Sequence, residues 1–183
     1  PKGFHVTTPL VIERGQIRAF GAIYADADAP MPGNGKTLAK VSASATINGK
    51  EVEHPVSDLT NIKPLAKPKL SIKVAPAKGQ PAQESSNTKP LELVIAPGET
   101  ISARVTIERN GFKGRVSFRN HDSGRNLPHG VYVDNIGLSG LLIVEGQNER
   151  EFFITADKWV PETTRRFHIR TTAEKGIASF PII

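Results

Sequence analysis

The sequence predicts an all-β fold of antiparallel sheets stacked as sandwiches, and three observations carry that prediction. Apolar and polar residues alternate with a period of two nearly everywhere. Tight-turn dipeptides such as Asn48-Gly49, Pro97-Gly98 and Asn110-Gly111 break the chain at short intervals. No stretch carries the apolar spacing of an amphipathic helix.

The elements follow in order. In the first third, strands are expected near residues 4–7, 10–13, 17–25, 37–47 and 50–56. Val41-Ser42-Ala43-Ser44-Ala45-Thr46-Ile47 shows the alternation at its clearest. Such a strand puts one face on a core and the other in water. Asn48-Gly49 reads as a two-residue hairpin loop, because these residue types tolerate the positive φ that both loop positions require. Asn110-Gly111 is expected to do the same. Further on, strands are expected at Leu70–Val74, Leu91–Ile95, Ile101–Ile107, Val116–Phe118, Phe152–Ile154 and Phe167–Ile169. A polar loop, residues 77–89, interrupts them. His5 and His168 alternate with apolar neighbours and are expected to face outward.

The chain also contains a diverged copy of part of itself. Residues 10–30 lie over 141–161 without a gap. Leu10/Leu141, Ile12/Ile143, Gly15/Gly146, Gln16/Gln147, Ile23/Ile154, Ala25/Ala156, Asp26/Asp157 and Pro30/Pro161 are identical. A fixed offset that carries glycine and proline along with apolar positions marks a repeat. Upstream, Pro1-Lys2-Gly3-Phe4-His5-Val6 lies over Pro128-His129-Gly130-Val131-Tyr132-Val133. Residues 1–66 are therefore expected to form the C-terminal part of one sandwich with its linker, and residues 67–183 a complete or nearly complete second one. A sandwich without its front strands would expose an apolar face and unpaired edges. Those strands are expected upstream in a larger protein, in another chain or on a bound fragment.

Composition excludes several classes. Hydrophobic residues make up 38% and charged residues 23%, too much apolar content for a disordered tail. Cysteine is absent, which removes disulfides, thiolate zinc sites and cysteine nucleophiles together. No apolar run is long enough for a membrane span. The net charge of +6 invites a nucleic-acid reading. However, much of the excess sits in Lys63, Lys67, Lys69, Lys73, Lys78 and Lys89, among Pro, Ala and Ser with no aromatic interleaved to stack a base. That stretch reads as a solvated linker, with a surface for an acidic polymer as the alternative, and no nucleic-acid partner is expected.

Candidate chemistry is weak wherever it is sought. His121, Asp122 and Ser123 are the letters of a hydrolase triad, but three successive residues cannot form the relay. Asp26 and Asp28 could ligate calcium; a turn-capping aspartate is the plainer reading, since the aligned residues are Asp157 and Trp159. Asp122 and Asp134 could meet across loops, although no spacing requires it. The five histidines show no zinc-binding pair. Gly33-Asn34-Gly35-Lys36-Thr37 lacks the strand and helix of a phosphate loop and reads as a hairpin tip. No catalytic, cofactor or metal residue is assigned. For contact with a partner, the candidates are Trp159, Lys158, Tyr132, His121, Asp122 and Arg125. Trp159 beside Lys158 suits stacking on a sugar or a partner, and the polar 120–126 lead exceeds what a plain turn needs.

One resemblance organises these motifs. Ala96-Pro97-Gly98-Glu99-Thr100, Arg109-Asn110-Gly111-Phe112-Lys113-Gly114, Leu127-Pro128-His129-Gly130-Val131, Glu145-Gly146-Gln147 and Thr155-Ala156-Asp157 follow one another along the second copy. The order resembles the immunoglobulin-like tandem repeats of very large secreted or surface bacterial proteins. The resemblance implies tandem immunoglobulin-like sandwiches with an extracellular, cell-surface or periplasmic location. It also implies a non-catalytic spacer or adhesion role, with neighbouring modules, a polysaccharide or another surface protein as partners. The alternative is a carbohydrate-binding accessory module of a secreted hydrolase, favoured if Trp159, Tyr132 and the 120–126 loop share one exposed face.

Overall fold

The computed structural model describes residues 2–33, 35–63, 67–86, 88–118, 124–134 and 140–183. Its elements are antiparallel strands and turns, with one 3₁₀ turn at Ala173–Lys175. The chain divides into two compact units. One comprises Pro1–His5 and Tyr24–Lys67; the other comprises Val6–Ile23 and Pro68–Ile183. Residues 6–23 thus group with the long C-terminal part, whereas sequence order had grouped them with the first third.

Six short strands lie in the first third: β1 (Phe4–Val6), β2 (Ile23–Ala25), β3 (Thr37–Ala39), β4 (Ser42–Ile47), β5 (Lys50–Pro55) and β6 (Leu59–Thr60). They pair as β1-β2, β3-β6 and β4-β5. The β4–β5 hairpin turns on Asn48 and Gly49 with φ of 51° and 75°, and Ile47 pairs with Lys50 across it. This is the expected two-residue loop, whose twist matches that of the strands it joins. Its alternation meets no partner sheet: every residue of β4 is exposed, and on β5 Val52 alone is half-buried. Among the described residues of this unit, Leu38 is the one buried apolar side chain. A core so thin contributes little of the burial on which folding depends.

Six more strands build the second unit: β7 (Leu70–Pro76), β8 (Thr100–Arg109), β9 (Val116–Phe118), β10 (Val131–Asp134), β11 (Leu141–Ile143) and β12 (Glu149–Ala156). One sheet runs β10-β12-β8-β7, all antiparallel. The other begins with β11-β9. Thr171 extends it by donating its hydroxyl to Ser117 O, and bridges Phe167–Ile182 and Leu91–Ile182 continue it. Period two places Leu70, Ile72, Val74, Ala103, Val105, Ile107, Phe152 and Ile154 on the inner face of the first sheet. They form one cluster with Val116, Phe118, Leu141, Ile143, Phe167 and Ile169. Two sheets over one shared core make a β-sandwich.

Four local expectations give way. Residues 10–13 and 17–22 are not strands but a loop, closed at its base by Thr7 N–H donating to Ala22 O at 3.0 Å and filled by Leu10 against Gly21. A loop with close ends, packed by its own side chains, is an Ω-loop. Asn110-Gly111 makes no hairpin, because β7 and β12 already occupy both edges of β8 and the chain must cross to the other sheet. Of Leu91–Ile95, Leu91 alone is bridged. His168 is buried, 1% exposed, rather than outward-facing. Its segment is central rather than an edge, with Arg125 bridged to His168 and Ile182 to Phe167 on the two sides.

Candidate functional site

The two aligned stretches adopt the same local hydrogen bonds. Asp26 N–H donates to Gly3 O at 2.8 Å, and Asp157 N–H donates to Gly130 O at 2.9 Å. Ala29 N–H returns to Asp26 O as Val160 N–H returns to Asp157 O. Gln16 N–H closes on Glu13 O as Gln147 N–H closes on Val144 O. Gly3 and Gly130 hold φ of 78° and 83°. A Cβ on Gly3 would lie 2.9 Å from Ala29 Cβ, and one on Gly130 would lie 2.7 Å from Val160 Cγ2. Glycine is required at both places for space as well as for φ.

The Gly-Gln turn is anchored differently in each copy. In the second, Arg109 donates from Nη1 to Gly114 O at 2.6 Å and from Nη2 to Val144 O and Gln147 O, both at 3.0 Å. Nε adds a bond to Gln147 O. The guanidinium fork thus ties the corner after β8 to the turn between β11 and β12. In the first copy a carboxylate stands where the second has Val144. Glu13 Oε1 accepts from Arg165 Nη2 at 2.6 Å, and Oε2 accepts from the His129 N–H at 3.0 Å. The Arg165 and Glu13 side chains are 10% and 23% exposed. Nearby, the Arg125 guanidinium lies 4.1 Å from the Phe20 ring centroid. These two contacts hold the Ω-loop against the 124–130 turn and Arg165. A groove of about 660 Å³ lies between residues 15–20 and 124–127.

The expected partner-contact residues divide. Trp159 is 58% exposed, its indole against Gly130 and its ring centroid 5.1 Å from that of His129. The Lys158 stem crosses Gly98. Tyr132 is 45% exposed on the outer face of its sheet. Arg125 is engaged with Phe20 and, through its backbone, with His168. His121, Asp122, Ser123 and the 120–123 part of the polar lead lie outside the described residues. Asp26, the calcium candidate, has both carboxylate oxygens 3.1 Å from His5 Nε2. Among the described residues no group of three or more His, Asp or Glu is placed to hold a metal ion. Lys73 of the Lys-rich stretch belongs to β7 and pairs with Glu108 at 2.8 Å.

Sequence reasoning missed Phe153, Glu13, Arg165 and Arg109. For Glu13 a signal existed: a charge in a column where the other copy is apolar. Phe153 was read only as part of an alternating strand. An apolar cleft of about 810 Å³ also opens at one sandwich rim, between residues 92–97 and 160–167 and floored by Ile101, Val131 and Ile154.

Comparison with protein-family models, with curated proteins and with solved structures finds no match to this chain.

Proposed function

We propose that the chain is a non-catalytic structural and interaction segment, made of immunoglobulin-like tandem modules, in a larger secreted or surface bacterial protein. The observation that carries this reading is the placement of residues 6–23. The backbone passes between the two compact units after His5, after Ile23 and after Lys67. Three covalent passages restrict bending more than the single linker that ordinarily joins neighbouring domains. The excursion between the first two is then fastened within the second unit by Glu13 and Phe20. The same set of turn hydrogen bonds occurs twice, which supports a repeated module. The thin core around Leu38 supports a first unit completed by further strands.

The test is a distance distribution between spin labels. The chain has no cysteine, so Ser44→Cys and Lys113→Cys place one label on an exposed residue of each unit. Stiff coupling gives a narrow distribution that broadens on Glu13→Ala. A distribution already broad in the parent chain refutes the spacer role.

A further inference from the structure

The outer face of the β10-β12-β8-β7 sheet is not uniform. Towards β7 it is a lattice of paired charges: Lys73 with Glu108, Arg104 with Glu149, and Ser71 donating to Glu108. Towards β10 it carries aromatic rings. Val131 and Val133 pack against the core, so Tyr132 points the other way. Phe152 and Ile154 are buried, so Phe153 also points outward, 42% exposed. Tyr132 pairs with Thr155 and Asp134 with Phe153, which makes Tyr132 and Phe153 diagonal neighbours on one face. Diagonal positions on adjacent strands lie roughly 7–8 Å apart. In the opposite direction Tyr132 is two residues from Gly130, about 7 Å along a strand, and Trp159 rests on Gly130.

We infer that Trp159, Tyr132 and Phe153 form a track that binds a linear, neutral polysaccharide, one pyranose ring stacked on each aromatic. Exposed apolar residues scattered singly signify nothing, but three rings in sequence at even steps do. The steps are on the scale of adjoining sugar rings. Between the rings stand hydroxyls that could serve sugar hydroxyls: Thr155 is paired to Thr100, with their Oγ1 atoms 2.9 Å apart, and Ser102 lies opposite Phe153. A protein interface would call for an apolar centre closed by a rim, whereas this strip is narrow and bordered by small polar residues. The cations Arg104 and Lys73 are spent in ion pairs, which favours neutral over anionic chains. Phe153 is the member that sequence reading overlooked, and the track does not require the 120–126 loop. The inference is independent of the spacer role, since the label distances can hold or fail without any glycan.

Trp159 is the only tryptophan, so its emission reports this site alone. The full chain is titrated with cellohexaose, chitohexaose and mixed-linkage β-glucan, and run through gels that contain each polymer. At least one should give a saturable change in emission and retard migration. Tyr132→Ala and Phe153→Ala should each weaken that binding about tenfold, as expected for loss of one stacked ring. Their thermal unfolding should stay near that of the parent, because both side chains are exposed. Absence of any emission change or retardation with all three glycans overturns the inference. So does binding that persists unchanged in the double substitution, which would place the contact elsewhere, or retention by cell-wall material through a protein instead.

Discussion

Glu13→Ala should release the Ω-loop without unfolding the sandwich. Both carboxylate oxygens are in use, one on Arg165 and one on the His129 N–H. Removing the carboxylate strands a guanidinium that is only 10% exposed and orphans a backbone donor. Breaking a fully buried pair costs about 3–5 kcal/mol, and an exposed pair is worth about 0–1 kcal/mol. With Glu13 itself 23% exposed, the ion pair falls between these limits, at about 1.5–2 kcal/mol. The lost N–H bond adds about 0.5–1 kcal/mol. Together the loop should open about thirty- to hundredfold more often. Arg14 and Arg18 are exposed loop residues, so brief trypsin digestion followed by mass spectrometry reads that opening directly. Glu13→Gln keeps an acceptor for His129 but loses the charge, and should fall midway. If cleavage in Glu13→Ala accelerates less than about threefold, loop closure does not depend on the carboxylate and the reasoning fails.

Other expectations follow from the same contacts. Arg109→Lys keeps the charge but can reach only one of three carbonyls, so it should cost about 2 kcal/mol and lower Tm by roughly 6–8 °C. A urea titration that gives a cost under about 0.5 kcal/mol would contradict the stitch between corner and turn. Gly130→Ala should lose about 2–3 kcal/mol through strained φ and collision with Trp159 and Val160. Gly111→Ala, with a similar φ and open space around it, should lose about 1 kcal/mol. The reverse order in thermal melts would refute the packing argument. A double-mutant cycle on Arg125 and Phe20, read by the same trypsin assay, should show coupling of about 0.5–1 kcal/mol; zero coupling would mean that the stacked geometry contributes nothing.

Sequence alone determined the all-β class, because the period of apolar residues is a local property that each strand carries by itself. It determined the Asn48-Gly49 hairpin for the same reason: the loop chemistry requires nothing beyond the loop. The repeat was legible too, since turns such as Gly130-Asp157 depend on glycine, a fixed offset and little else. What it could not determine was which segments meet. Leu10-Val11-Ile12 has the letters of a strand and aligns with β11, yet it forms a loop fastened by Glu13 to Arg165, a partner far away in sequence. Asn110-Gly111 has the letters of a hairpin, but β8 had no free edge to receive a returning strand. His168 alternates like a surface residue and is buried, because pairing on both sides makes its segment central. Phe153 looks like one more strand residue until the register sets it diagonal to Tyr132. Edges, register and docking are decided by the competition among distant segments for the same backbone partners and the same core, and only the tertiary structure records the winners.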